Sequence, residues 1–452
     1  MIPMTFKEAA MAVKSSTVLE DGFDCICTDT RKITPGCLFI AIKGDNFDGH
    51  DFARKAIESG ARAVLCEKDC GLSDNQILVE NTRLALLDLA GYYRSKFRIP
   101  VIGITGSVGK TTTKEMTHAV MSSKYNTLKN EGNLNNEIGV PLTLFRLDKT
   151  HEAAVIEMGM SGFNEISRMT KAVKPDVAII SNIGVSHIEK LGSREGILRA
   201  KLEILHGMKD NAPIILNGDD DMLVTVRPGA HPVIYYGVEN SNSIYKAFDI
   251  TSKENETELS VGFEGGSGRV SLPFPGRHNV YNALAAVAAG MQFGIGVQDG
   301  LDALKNYVPA GMRQRINKKC GITFIEDCYN ASPDSQAAAL AVLAGMNAKR
   351  TIAVIGDMLE LGEVSRDAHY GVGQKAAKNK IDAVFTYGER SLETAKGASE
   401  CGVADVRSFS DKQELSKELS SYLKEGDAVL FKASRGMKLE DVIYSVYESL
   451  EA

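Results

Sequence analysis

Residues Thr105-Gly106-Ser107-Val108-Gly109-Lys110-Thr111-Thr112 close an apolar run, Pro100-Val101-Ile102-Gly103-Ile104-Thr105, and open a polar, helix-forming one. A strand that turns through glycines into a helix leaves the first N–H groups unpaired, and with the helix dipole they attract an anion. Lys110 adds a cation suited to the β- and γ-phosphates of ATP, and the Thr111 hydroxyl is suited to Mg²⁺. The spacing departs from G-x₄-GK[ST], because Ile104 stands where the first glycine belongs. Strand, loop and helix still follow in the required order, so the loop reads as a phosphate cradle.

On either side the pattern predicts an α/β protein of three domains. Residues 1–84 form a small α/β unit, with strands over 37–43 and 61–66 and a helix over 50–60. Asn81-Thr82 caps a helix reaching about Phe97, a connection to the next domain. Residues 85–309 form the central P-loop domain, whose further strands are 152–158, 176–184 and 212–217 in a parallel sheet. The polar, Gly-rich stretch 245–275 reads as antiparallel, and helices follow over 279–293 and 297–307. Residues 310–452 repeat the alternation with strands at 321–327, 350–356, 382–388 and 426–432, a Rossmann-like third domain.

The bulk composition narrows the classes. A net charge of −6 argues against a nucleic-acid binder, which needs a basic face. The first residues, MIPMTFKEAA, lack the basic start and apolar core of a secretory signal, and no apolar run reaches membrane-spanning length. A cytoplasmic monomer without membrane insertion is the expectation. The eight cysteines include no CxxC pair, so reduced thiols are expected rather than zinc. Asn379-Lys380-Ile381-Asp382 matches a guanine motif, but it lies in another domain and precedes a strand.

Three strand ends carry polar groups toward one sheet edge: Lys110 after 100–105, Glu157 at the end of 152–158, and His187 in Asn182-Ile183-Gly184-Val185-Ser186-His187. A carboxylate there can reach a nucleotide-bound Mg²⁺. Lys201 follows on a helix, where its plain reading is an exposed lysine.

These motifs, with Gly276-Arg277-His278-Asn279 through Asn282, Gly311-Met312-Arg313, Asp327-Cys328-Tyr329-Asn330 and Lys432-Ala433-Ser434-Arg435-Gly436, resemble the Mur ligases in order and spacing. Tyr329 to Ser335 resembles the dipeptide-adding branch, which joins D-alanyl-D-alanine to a UDP-N-acetylmuramoyl-tripeptide. The resemblance implies that Thr105 to Thr112 bind ATP together with Asn279 and Asn282 on the adenine side, and Arg313 and Asp327 from the third domain. It implies metal ligation by Thr111, Glu157, His187 and a carbamylated Lys201, and catalysis by Lys110, Lys201, His187 and Arg313. Thr28, Asp29, Thr30, Arg31, Lys43, Gly44, Asp48, Gly49 and His50, within the run to Asp51, resemble the uridine-nucleotide region. Asn330, Asp334, Ser335, Ser434 and Arg435 would face the incoming dipeptide. Ala433 departs from the family, which usually has glycine there. An amide ligase adding the third peptide residue, a folylpolyglutamate synthetase and a non-catalytic nucleotide binder remain the alternatives.

Overall fold

The computed structural model describes residues 1–452 except Val18, Asp45, Ser73, Ala310 and Ala452. Asp45, in the Lys43–Asp51 run, and Ala310, where the third domain is expected to begin, therefore lie outside the described residues. The chain folds into three domains of mixed α/β structure, as expected.

The N-terminal sheet is parallel, in the order Cys25–Cys27, Cys37–Ile40, Ala63–Cys66, Gln76–Leu78. Its strand at 37 is shorter than expected because the chain turns at Ile42, whose carbonyl accepts from Gly49 N–H at 2.9 Å. The expected helix over 50–60 is a 3-10 turn, Gly49–Phe52, leading into an α-helix, Ala53–Glu58. Helix Thr82–Ser95 begins where Asn81 caps it, Oδ1 accepting from Leu84 N–H at 2.9 Å, a cap of about 1 kcal/mol. This helix runs unbroken through the 84/85 boundary placed from the sequence.

The central sheet has nine strands. Its parallel part runs Thr127–Lys129, Ala153–Glu157, Val101–Thr105, Val177–Ile180, Ile214–Asn217, Val233–Gly237, and continues parallel into Tyr245–Ser252. Strands Tyr245–Ser252, Thr257–Phe263 and Gly266–Leu272 then pair antiparallel, as their alternation predicts. Val101 to Thr105 are buried on both faces, which is why this strand reads as an unbroken apolar run. It lies between the strands that end at Glu157 and Ile180, so their C-terminal ends deliver side chains to one place. The third sheet has six strands, with Arg315–Lys319 antiparallel at one edge and the others parallel.

One apolar core joins the first two domains, including Met4, Leu86, Tyr93, Leu147, Met169 and Ile204. Tyr93 is fully buried; its hydroxyl donates to Leu147 O at 2.5 Å and accepts from Ile2 N–H at 2.7 Å. The third domain builds its own two cores on the faces of its sheet. Among the described residues no helix is long and apolar enough to cross a membrane.

Candidate active site

Two glycines shape the P-loop. Gly106 has φ +154°, and a methyl there would lie 1.9 Å from Ser181 Oγ. Gly109, at φ +79°, would carry one 2.8 Å from Asn282 Oδ1. The next strand end holds the loop. Asn182 Oδ1 accepts from Ser107 N–H at 3.1 Å and Val108 N–H at 2.9 Å. The Ser181 hydroxyl donates to Val108 O at 2.7 Å, and Gly184 N–H donates to Ser107 Oγ at 2.9 Å.

Lys110 Nζ folds back to Gly106 O at 2.9 Å. Burial lowers its pKa below the usual lysine value, Glu157 opposes this, and the Arg313 charge adds to it. Glu157 is buried; Oε2 accepts from the Thr111 hydroxyl at 2.9 Å and Oε1 from Asn135 Nδ2 at 2.7 Å. Asn130 Oδ1 takes Glu157 N–H at 2.7 Å, which fixes the strand end itself.

Lys110, Thr111, Glu157, His187, Asn279, Asn282, Arg313, Asp327, Asn330, Asp334 and Ser335 all line one cavity of about 560 Å³ between the central and third domains. The helix Arg277–Met291 supplies Asn279 and Asn282, starting two residues earlier than expected. Asn282 Oδ1 accepts from the Thr113 hydroxyl at 3.1 Å, which ties this helix to the P-loop helix. The guanidinium of Arg313 stacks on Tyr329, Cζ 4.1 Å from the ring centre. Asp327 pairs with the buried Lys432 at 2.6 Å and accepts from Gln314 N–H at 3.2 Å.

Lys201 is 2% exposed and does not line the cavity. Its plain reading as an exposed lysine is corrected here, because its helix packs it inward. Burial, with Lys110 nearby, pushes its pKa well below the usual lysine value. Ser434 and Arg435 also lie outside the cavity wall. Ser434 is buried with Oγ accepting from Leu359 N–H at 3.0 Å, and Arg435 pairs with Glu440 at 2.5 Å. The methyl of Ala433 packs toward Gly356, where an added methyl would meet it at 2.7 Å.

The uridine-region residues sit on the N-terminal domain, apart from this cavity. Arg31 clasps Asp29 through two bonds of 2.8 Å, and its side chain is 86% exposed. Asp29 also caps the 3-10 turn Thr30–Lys32, one residue after Thr28. Lys43 and Asp48 pair through their backbones in an isolated antiparallel β-bridge, Gly44 N–H donates to Phe47 O, and Asp48 caps Gly49–Phe52. His50 Nε2 accepts from Glu67 N–H at 2.9 Å, so its Nδ1 carries the proton and donates to Asp48 at 2.5 Å.

Sequence reasoning quoted Asn182 within a run but gave it no role, and it missed Gln314 and Asn130. Gln314, at φ +52°, accepts from His278 Nε2 at 2.8 Å and Asn279 Nδ2 at 3.1 Å, joining the adenine-side helix to the third domain. Its place beside Arg313 was the available signal.

A P-loop at the centre of a parallel sheet, closed over by a third domain that adds Arg313 and Asp327, defines a multidomain nucleotide-binding enzyme. Family models match residues 23–94 (Mur ligase family, catalytic domain), 104–290 (Mur ligase middle domain) and 313–435 (Mur ligase, glutamate ligase domain). The chain belongs to the Mur ligase family. It is 40% identical to the UDP-N-acetylmuramoyl-tripeptide–D-alanyl-D-alanine ligase of Bacillus subtilis, covering 99% of each chain. Identity to the Escherichia coli enzyme of that name is 39%, over 94% of each. A crystal structure of MurF from Acinetobacter baumannii superposes with TM-score 0.92 at 32% identity, covering 99% of each. The MurF ligase of Thermotoga maritima in complex with ADP gives 0.86 at 30%, covering 94% of this chain and 97% of that one.

Proposed function

We propose that this chain is an ATP-dependent amide ligase that adds D-alanyl-D-alanine to a UDP-N-acetylmuramoyl-tripeptide, a step of peptidoglycan precursor synthesis. The observation that carries the chemistry is the convergence of Lys110, Glu157 and His187 from adjacent strand ends, opposite Arg313 of the third domain, in one cavity. The dipeptide acceptor follows from the full-length relatives and from the Tyr329–Ser335 segment, whose Asn330, Asp334 and Ser335 line that cavity. The likenesses to a diaminopimelate-adding ligase and a folylpolyglutamate synthase, at 18% and 17% identity, concern the fold alone.

A carboxylate resists an amine because its leaving group is an oxide. In the proposed route a carboxylate oxygen of the tripeptide terminus attacks the γ-phosphorus of ATP, and the bond to ADP breaks. The dipeptide amine, having lost a proton, then attacks the acyl carbon, and phosphate leaves with the C–O bond. Lys110 and Arg313 neutralise charge on the transferring group, and domain closure aligns the partners. Asn279 and Asn282 hold the adenine side, and Asp327 the ribose.

Among the described residues no cluster of three His, Cys, Asp or Glu could hold a metal alone. That fits Mg²⁺, which keeps waters and phosphate oxygens in its shell. Thr111 and Glu157 would hold one ion, and His187 with a carbamate of Lys201 a second. Bound there, Mg²⁺ would offset phosphate charge. In support, Glu157 and Lys201 are both buried, Glu157 Oε2 accepts from the Thr111 hydroxyl at 2.9 Å, and the Lys201 pKa is pushed down by burial and by Lys110. The same reading divides the chain at 84/85 and 309/310, gives the uridine nucleotide to the N-terminal domain, and makes the enzyme a cytoplasmic monomer. ADP release measured with UDP-muramoyl-tripeptide, with and without D-alanyl-D-alanine, tests it. Release that is indifferent to the dipeptide would overturn the acceptor assignment.

A further inference from the structure

His187 and Glu360 face each other across the boundary between the central and third domains. His187, at φ +62°, stands at the N-cap position of the short helix Ile188–Leu191, and Glu360 has φ +61°. Side chains other than glycine adopt this left-handed backbone rarely, so two of them meeting is an arrangement the surrounding structure must hold.

The loop that carries Glu360 is firmly anchored. Met358 N–H donates to the buried His369 Nε2 at 2.9 Å, and Leu359 N–H to Ser434 Oγ at 3.0 Å. Asp357 takes Ser391 N–H on its carboxylate at 2.8 Å and Ser434 N–H on its backbone carbonyl at 3.1 Å. Beyond Glu360, Gly362 packs on Glu189, where a methyl would approach the Glu189 Cβ to 3.2 Å. The loop and the His187 helix thus meet as two fitted surfaces.

Within that contact His187 Nδ1 is sealed from solvent and, among the described residues, has no aligned hydrogen bond. The group that reaches it is Glu360 Oε2, 2.6 Å away but off the line of the ring N–H. A small rotation of that half-exposed carboxylate completes the bond. An imidazole whose Nδ1–H is held by a carboxylate presents its Nε2 lone pair outward in a fixed direction, the arrangement that orients metal-bound histidines.

We propose that Glu360 is a positioning residue for His187: closure of the third domain brings its carboxylate to Nδ1 and so sets Nε2 toward the cavity as a ligand for a divalent cation. The inference rests on the reading of His187 as a metal ligand. It adds that the second cation site is finished by the third domain, so cation binding and closure favour each other. Glu360 itself never touches the cation or the reacting atoms.

The test is Mn²⁺ binding to the full-length enzyme with a non-hydrolysable ATP analogue, followed by the loss of free-ion paramagnetic resonance. Glu360→Ala should weaken the weaker of two Mn²⁺ sites by about 10-fold or more. Glu360→Gln keeps an acceptor for Nδ1–H and should stay within about threefold of the parent. Glu360→Gly relaxes the left-handed backbone and should behave as the alanine variant does without loss of thermal stability. Mn²⁺ binding to Glu360→Ala within twofold of the parent overturns the proposal, and so does equal weakening by glutamine and alanine. His187→Ala separates the two claims. If it leaves Mn²⁺ binding intact, the metal reading of His187 fails; if it weakens binding while Glu360→Ala does not, only the role of Glu360 fails.

Discussion

Asp334 of the third domain stands directly over Gly184 of the central domain: a methyl added at Gly184 would lie 2.6 Å from Asp334 Oδ2. The Gly184 backbone lies outside the left-handed region, so a side chain there would meet the Asp334 carboxylate rather than backbone strain. Gly184→Ala should therefore hinder closure. Small-angle scattering with an ATP analogue and UDP substrate should show compaction in the parent and less in the variant, with kcat reduced about 10-fold. Shortening the opposing side chain in Gly184→Ala/Asp334→Ala should restore compaction. Full compaction of the single variant would contradict the closed arrangement as the working one.

Lys201 should act as a carbamate. Burial and the nearby Lys110 charge push the Lys201 amine well below the usual lysine value, which favours the neutral form that adds to CO₂. The product is an anion with two oxygens, which suits Mg²⁺ where an ammonium does not. Lys201→Ala and Lys201→Arg should each lose about 100-fold or more in kcat. Enzyme labelled with ¹³C-bicarbonate should show a carbamate carbon by NMR that is missing from Lys201→Arg. An arginine variant within about threefold of the parent would remove the carbamate from the mechanism.

Arg31 and Lys43 should serve the UDP substrate and not ATP. Both side chains reach solvent on the N-terminal domain, away from the cavity that holds the P-loop. Alanine at either position should raise KM for UDP-muramoyl-tripeptide about fivefold and leave KM for ATP within twofold, the pattern of lost ground-state binding. Equal effects on both substrates would speak against this division of labour.

The Asp48–His50 contact gives a pH signature. The His50 ring and backbone N–H hold the Asp48 carboxyl at about 2, below its reference of 3.8. A depressed carboxyl stabilises the fold fully above the unfolded value and loses that contribution as pH falls through the folded one. Asp48→Asn, which keeps a capping oxygen, should melt about 2 °C lower than the parent at pH 6. That gap should close between pH 3.8 and about 2. A gap that persists at the acid end would assign the effect to packing.

The strand ends at Lys110, Glu157 and His187 were readable because parallel strands buried on both faces leave long apolar runs, and polar residues after them must lie at the sheet edge. Short edge strands such as Cys25–Cys27, Thr127–Lys129 and Asp405–Phe409 were not read, since three to five residues carry too little periodicity. Lys201 could not be placed, because burial of one helix face depends on what packs against it. Glu360 and Gln314 gave still less signal: their positions arise from left-handed turns and from contacts between domains far apart in sequence. Ser434 looked like a ligand contact from its motif, yet its hydroxyl is spent on the loop that carries Glu360.

The shared core around Tyr93 makes the first two domains one cooperative body. The holders proposed for the UDP-sugar and for ATP should then keep their spacing through turnover, with the relative motion falling to the third domain. The enzyme would work as an anvil with a single hammer: the anvil can be loaded with both phosphorylated substrates while the hammer is raised. On heating, such a chain should melt in two calorimetric steps, with the N-terminal sheet and the P-loop sheet lost together.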